Sequence, residues 1–131
     1  MKYLCMIYTD PEYPVILSDG EDANLTDEML DYGDRLRSVG RFIEGQALQS
    51  AETATNVRVR NGKKIIVDGP FVETKELLTG FILIETQDLD TAIKVASDVP
   101  AAKFGVVEIR PIRELSRQKS QPPFRIPNQP G

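Results

Sequence analysis

Two segments of the chain are apolar on both faces when read as strands. In KYLCMIY (2–8), Leu4, Met6 and Tyr8 alternate with Tyr3, Cys5 and Ile7. In LTGFILIE (78–85), Phe81 and Leu83 alternate with Ile82 and Ile84. Successive strand side chains point to opposite faces, so a sheet built on these segments needs apolar cover above and below. Only two helices are available to provide it. Leu25, Met29, Tyr32, Leu36 and Val39 fall on one stripe at helical spacing, and Leu89, Ala92, Ile93, Ala96 and Val99 fall on another. Asn24 or Thr26 can cap the first helix, Asp27 and Glu28 suit its positive end, and Gly40 can terminate it. Asp88 caps the second and Pro100 ends it.

The remaining segments complete the order. Residues 9–24, rich in acids with Pro11, Pro14 and Gly20, read as a long loop, and RFIEGQAL (41–48) reads as the second strand. In NVRVRNGKKIIV (56–67), alternating residues flank Asn61-Gly62, a pair that accepts the positive φ angles of a type I′ hairpin turn. FGVVEIRPI (104–112) is the last strand. The order is β-α-β, an inserted hairpin, and β-α-β. Two such halves with right-handed crossovers give an α+β fold, a ferredoxin-like βαββαβ sandwich with both helices on one face of an antiparallel sheet. The second apolar face then lacks cover. Another copy of the same sheet is the simplest cover, so the sequence predicts a homodimer packed through its sheet face.

Composition narrows the function classes. The 131 residues, 40% hydrophobic and 27% charged, fit one globular domain over 1–113. Residues 114–131, with four prolines and few apolar side chains, read as an extended tail. No apolar run approaches the roughly 20 residues of a membrane span, and MKYLCMIYTD does not read as a signal peptide. The single Cys5 excludes an internal disulfide framework, so a cytoplasmic location is expected and Cys5 reads as a buried, inert thiol. There is no histidine, which removes Ser-His-Asp and Cys-His catalysis and His-ligated zinc. The net charge of −4 argues against a nucleic-acid binder. It is unevenly spread: from Asp10 to Asp34 there are nine acids and no base.

Acid–base work therefore falls to Asp, Glu, Lys or Tyr. In IIVDGPFVETKE (65–76), Asp68 follows a strand and precedes Gly-Pro. One reading is a turn, with Asp68 accepting backbone hydrogen bonds and Pro70 fixing the exit. The other makes Asp68 a catalytic base at the mouth of a cleft with Glu73, Lys75 and Glu76 nearby. Tyr8 and Asp10, leaving the first strand, add a phenol and an acid. In the last strand Glu108 and Arg110 share a face; they are either an ion pair across strands or the lining of a pocket in which Arg110 receives a carboxylate or phosphate. No spacing matches a metal loop and no phosphate-binding glycine motif is present, so neither metal nor cofactor is expected.

DGPFVETKE followed by LTGFILIE, preceded by TNVRVRNGK and followed by VEIRPI, resembles the YCII-related family in its DGPF-domain branch; MKYLCMIYTD and GQAL fit too. The resemblance covers about residues 1–113 and implies a dimeric α/β barrel. It also implies a link to extracytoplasmic-function sigma factors; the alternative to a ligand-binding role is a non-catalytic regulatory partner, of such a factor or of another protein, that works through the acidic face. Other members are proposed to use a His-Asp dyad. That dyad does not carry over to a chain without histidine, and Tyr32 lies near the missing position. The leading expectation is a homodimer with a cleft for a small polar or anionic metabolite, lined by Tyr8, Asp10, Tyr32, Asp68, Glu73, Lys75, Glu108 and Arg110, with lyase- or isomerase-like proton transfer if it is an enzyme.

Overall fold

The computed structural model describes residues 1–10, 19–71 and 75–118, with residues 19–23 described by their backbone alone. In chain order these form β1 (Lys2–Thr9), α1 (Asp19–Ser38), β2 (Phe42–Ala47), β3 (Thr55–Arg60), β4 (Lys63–Asp68), β5 (Leu77–Glu85), α2 (Leu89–Ser97) and β6 (Gly105–Pro111). Short 3₁₀ turns occupy Ala51–Thr53 and Pro100–Phe104. Four strands make an antiparallel sheet in the order β2-β5-β1-β6, and β3 and β4 make a separate two-stranded ribbon. This is the ferredoxin-like order with a hairpin inserted ahead of the third sheet strand. Asn61 and Gly62 take φ values of 52° and 75° at the ribbon's tip, as the turn chemistry requires.

One sheet face is the core. Tyr3, Cys5 and Ile7 of β1 and Ile82 and Ile84 of β5 lie under Tyr32 and Leu36 of α1 and Ala92, Val95 and Val99 of the α2 region. The Tyr32 hydroxyl donates to the Val95 carbonyl at 2.5 Å and ties the two helices together. Burial, and next the charge of Asp98, push the Tyr32 phenol up to about 12. Burial pushes the Cys5 thiol up to about 11, which leaves it a protonated, inert side chain.

Several sequence expectations need correction. Helix α1 starts at Asp19, so part of the acid-rich stretch read as a loop is helical, and Asn24 and Thr26 sit inside the helix rather than at its cap. Acidic residue types suit a helix N-terminus, which offsets the absence of apolar periodicity there. Gly40, at φ 72°, does end the helix: its N–H bonds the Arg37 carbonyl and the Arg41 N–H bonds the Leu36 carbonyl, a Schellman closure. Val39 is exposed in that turn and not part of the buried stripe. In α2 the buried face is Ala92, Val95 and Ala96, while Leu89 and Ile93 face outward. Asp88 caps this helix as expected, accepting from the Thr91 N–H at 2.8 Å, a bond that lowers its pKa.

The opposite sheet face is apolar in its centre. Leu4 and Met6 stand beside Leu83 and Phe81 of β5, flanked by Arg110 and Glu108 of β6 and by Glu44 and Gln46 of β2. Both helices pack on the other side, so this stripe of four apolar side chains is only half-buried. No helix among the described residues is long and apolar enough to cross a membrane.

Candidate functional site

At one end of the open face, where β1 runs out, Tyr8, Lys75, Glu76, Val106 and Glu108 line an open hollow of about 490 Å³. Three features of the backbone build it. First, β5 carries an extra residue: Ile7 pairs with Gly80 but Tyr8 pairs with Leu78, so Thr79 is bulged. A bulge shifts the strand's alternation by one. Leu78 thereby joins the open face, and the Thr79 hydroxyl donates to the Ile7 carbonyl at 3.3 Å. Second, Tyr8 pairs with Val106 and Met6 with Glu108, which places the phenol and the β6 carboxylate on the same face. Third, Gly105 lets β6 start hard against β1. A Cβ there would stand 1.8 Å from the Tyr8 carbonyl oxygen, so any side chain would push the strands apart.

The hollow mixes charges. Lys75 Nζ lies 3.5 Å from Asp10 Oδ2; the lysine is exposed, whereas the Asp10 side chain is 13% exposed. Arg110 Nε lies 3.6 Å from Glu108 Oε2 on the same strand. The pair is an ion pair along β6 rather than one across strands, and both side chains stay open to solvent. A phenol, an ammonium and carboxylates at one rim can hold a small oxygen-rich molecule by charge and hydrogen bonds, and can move a proton between carbon or oxygen and a carboxylate.

Of the residues expected from sequence, the structure brings together Tyr8, Asp10, Lys75, Glu108 and Arg110. Glu76 joins them, and Val106 is a lining residue for which the sequence offered no signal beyond its place in the last strand. Tyr32 lies on the other side of the sheet, in the helix-packed core. Asp68 is exposed at the end of β4, opposite Thr55 in register, and does not line the hollow. Glu73 lies outside the described residues. The Asp68-Gly69-Pro70-Phe71 segment is pinned instead to the ribbon: the Gly69 N–H bonds the Ala54 carbonyl at 2.8 Å, and the Asn56 side-chain amide donates to the Gly69 carbonyl. Arg58 stacks over the Phe71 ring at 5.2 Å. Asn56 is a residue that sequence reasoning passed over, because its partner is a backbone carbonyl on the next strand's exit. Among the described residues no group of three or more His, Cys, Asp or Glu could hold a metal ion.

The comparisons with known proteins agree with this fold. The sequence matches the YCII-related domain over residues 1–116. An uncharacterised protein of Rhizobium meliloti (strain 1021) is 32% identical over 114 residues, covering 86% of this chain and 92% of that one. Among solved structures, the 5-chloro-2-hydroxyhydroquinone dehydrochlorinase TftG of Burkholderia phenoliruptrix AC1100, in complex with 2,5-dihydroxybenzoquinone, aligns with a TM-score of 0.52 at 14% identity. That alignment covers 86% of this chain and 94% of the neighbour, and it is a likeness of fold. With the family match running over most of its length, the chain belongs to the YCII-related family.

Proposed function

We propose that the protein is a cytoplasmic homodimer, packed open sheet face to open sheet face, whose hollow binds a small polar or anionic metabolite and carries out proton-transfer chemistry of the lyase or isomerase kind. The observation that carries this reading is the placement of Tyr8, Lys75, Glu76 and Glu108 around one hollow at the end of an apolar sheet face. Lys75 supplies positive charge for an anionic oxygen, Glu76 or Glu108 takes a proton, and Tyr8 donates a hydrogen bond. The fold neighbour supports the ligand class, since TftG is a dehydrochlorinase seen with a dihydroxybenzoquinone, a small ring rich in oxygen. Asp68, at the end of β4 and outside the hollow's lining, has no role in this proposal.

The dimer and the ligand are tested separately. Leu83→Asp places a carboxylate in the centre of the open face and is expected to convert a dimer into a monomer in light scattering; an unchanged mass for a folded Leu83→Asp protein would remove the sheet-face dimer. Titration with 2,5-dihydroxybenzoquinone, followed by calorimetry, is expected to show saturable binding that Lys75→Ala abolishes. Binding that survives both Lys75→Ala and Tyr8→Phe would place the ligand elsewhere.

A further inference from the structure

The apolar side chains of the β3–β4 ribbon find no core. Its register puts Val57, Val59 and Ile66 on one face with Lys64, and Arg58, Arg60, Lys63, Ile65 and Val67 on the other. Val57 is 61% exposed, Val59 57% and Ile66 63%. A two-stranded hairpin is marginally stable in water by itself, and a run of exposed β-branched residues marks an interaction surface. The ribbon is also strongly basic. Between Asn56 and Val67 it has four bases and no acid, a charge of +4, so the rest of the chain carries −8 against a total of −4. None of Arg58, Arg60, Lys63 and Lys64 makes an ion pair among the described residues.

A second copy of this chain matches the ribbon in charge. It is a strongly anionic body toward a cationic arm. The outward side of α1 presents Asp27 and Asp31, exposed, one helical turn apart and without an ion pair among the described residues. Like charges at that spacing repel, so an arriving cation relieves them. The reach is adequate. Six residues of strand extend about 20 Å at roughly 3.3 Å each, and packed sheets lie about 10 Å apart. An arm of that length exceeds the spacing between two packed sheets.

We infer that the β3–β4 ribbon is an arm that clasps a second copy of the chain, laying Val57, Val59 and Ile66 against it and bringing Lys64 of the same face, with Lys63 beside the turn at the arm's tip, to its carboxylates. This rests on the sheet-face dimer proposed above and adds to it a contact that the sheets do not make. It also links dimerisation to the site, because the same chain segment that leaves the arm leads, through Asp68 and Phe71, to Lys75.

Zero-length carbodiimide cross-linking of a mixture of ¹⁵N-labelled and unlabelled full-length protein tests it. Bridges between Lys63 or Lys64 of one copy and carboxylates of the other, Asp27 and Asp31 foremost, are expected, and a Lys63→Glu/Lys64→Glu double variant is expected to raise the dimer dissociation constant at least tenfold at low salt. Only intra-copy bridges from a persisting dimer, together with an unchanged dissociation constant in the double variant, would overturn the arm and leave the sheet-face dimer standing. A wild-type protein that sediments as a monomer would remove both. Arm-dependent binding to duplex DNA with no bridge between copies would also overturn it, in favour of a nucleic-acid ribbon.

Discussion

Lys75 Nζ stands 3.5 Å from Asp10 Oδ2, an exposed ammonium over a sheltered carboxylate at the end of β1. A pair with one partner in water is screened and contributes little to folding. Lys75→Ala is therefore expected to change the free energy of unfolding by no more than about 1 kcal/mol, measured in urea, while abolishing the binding of small anions. A loss well above that figure would make Lys75 a structural residue and undermine the hollow as a ligand site.

Gly105 is held at its place by contact rather than by backbone angle. Its φ is −179°, open to any residue, but a Cβ would lie 1.8 Å from the Tyr8 carbonyl oxygen and 2.8 Å from Thr9 Cα. Gly105→Ala must separate β6 from β1 beside the hollow. The expected result is a destabilisation of about 1–3 kcal/mol, seen in thermal unfolding, with the Tyr8 and Val106 amide signals shifted in a ¹⁵N spectrum. A neutral effect would mean that the strands part at no cost.

Much of the architecture was legible in the sequence because it rests on periodicity and turn chemistry. The two-faced strands, the Asn61-Gly62 hairpin and the Asp88 cap are all local signals. The face of α2 was not legible. Leu89, Ala92, Ile93, Val95, Ala96 and Val99 spread over an arc wider than one sheet covers, and the small Ala92 and Ala96 decide the matter by allowing close approach. The start of α1 was hidden for the opposite reason, since its first turns have no apolar stripe at all. At the site, alternation correctly placed Glu108 and Arg110 together, and charge density drew notice to Lys75. What it missed was backbone geometry. The bulge at Thr79 and the close approach at Gly105 set the hollow, and neither has a side-chain signature. Two site candidates fall outside the hollow: Tyr32, drawn from the resemblance, lies in the core, and Asp68, drawn from its place before Gly-Pro, belongs to the ribbon's foot.

The core tyrosine and cysteine predict an alkaline limit. In the unfolded chain the Cys5 thiol and Tyr32 phenol ionise near their ordinary values of 9.0 and 10.0, whereas in the fold they stay protonated until about 11 and about 12. Raised values of this kind leave stability intact below pH 9 and remove it as pH climbs toward 12. Each group costs up to about 1.4 kcal/mol per pH unit within its own window. Urea unfolding at stepped pH is expected to show this fall, and Tyr32→Phe is expected to flatten it above pH 10. At neutral pH the same variant should cost about 1 kcal/mol for the lost bond to the Val95 carbonyl. An unchanged alkaline slope in Tyr32→Phe would show that the phenol is not the titrating group.

The Gly69 carbonyl and the Asn56 amide decide whether the Asp68–Phe71 turn is structural. Gly69 adopts φ 97° with open space where a Cβ would be, so an added methyl group meets nothing and only the backbone resists it. Gly69→Ala is then expected to cost about 1–2 kcal/mol, and Asn56→Ala about 1 kcal/mol for the hydrogen bond it removes. The two effects share one element. If the alanine relaxes φ, the carbonyl turns away from the Asn56 amide, and the double variant should cost less than the sum of the singles. Urea unfolding of the four proteins measures that coupling. Strict additivity would mean that the turn keeps its shape without Asn56. A loss of ligand binding with no loss of stability in either single variant would move the turn from scaffold to binding site, because a purely structural pin cannot be removed without weakening the fold.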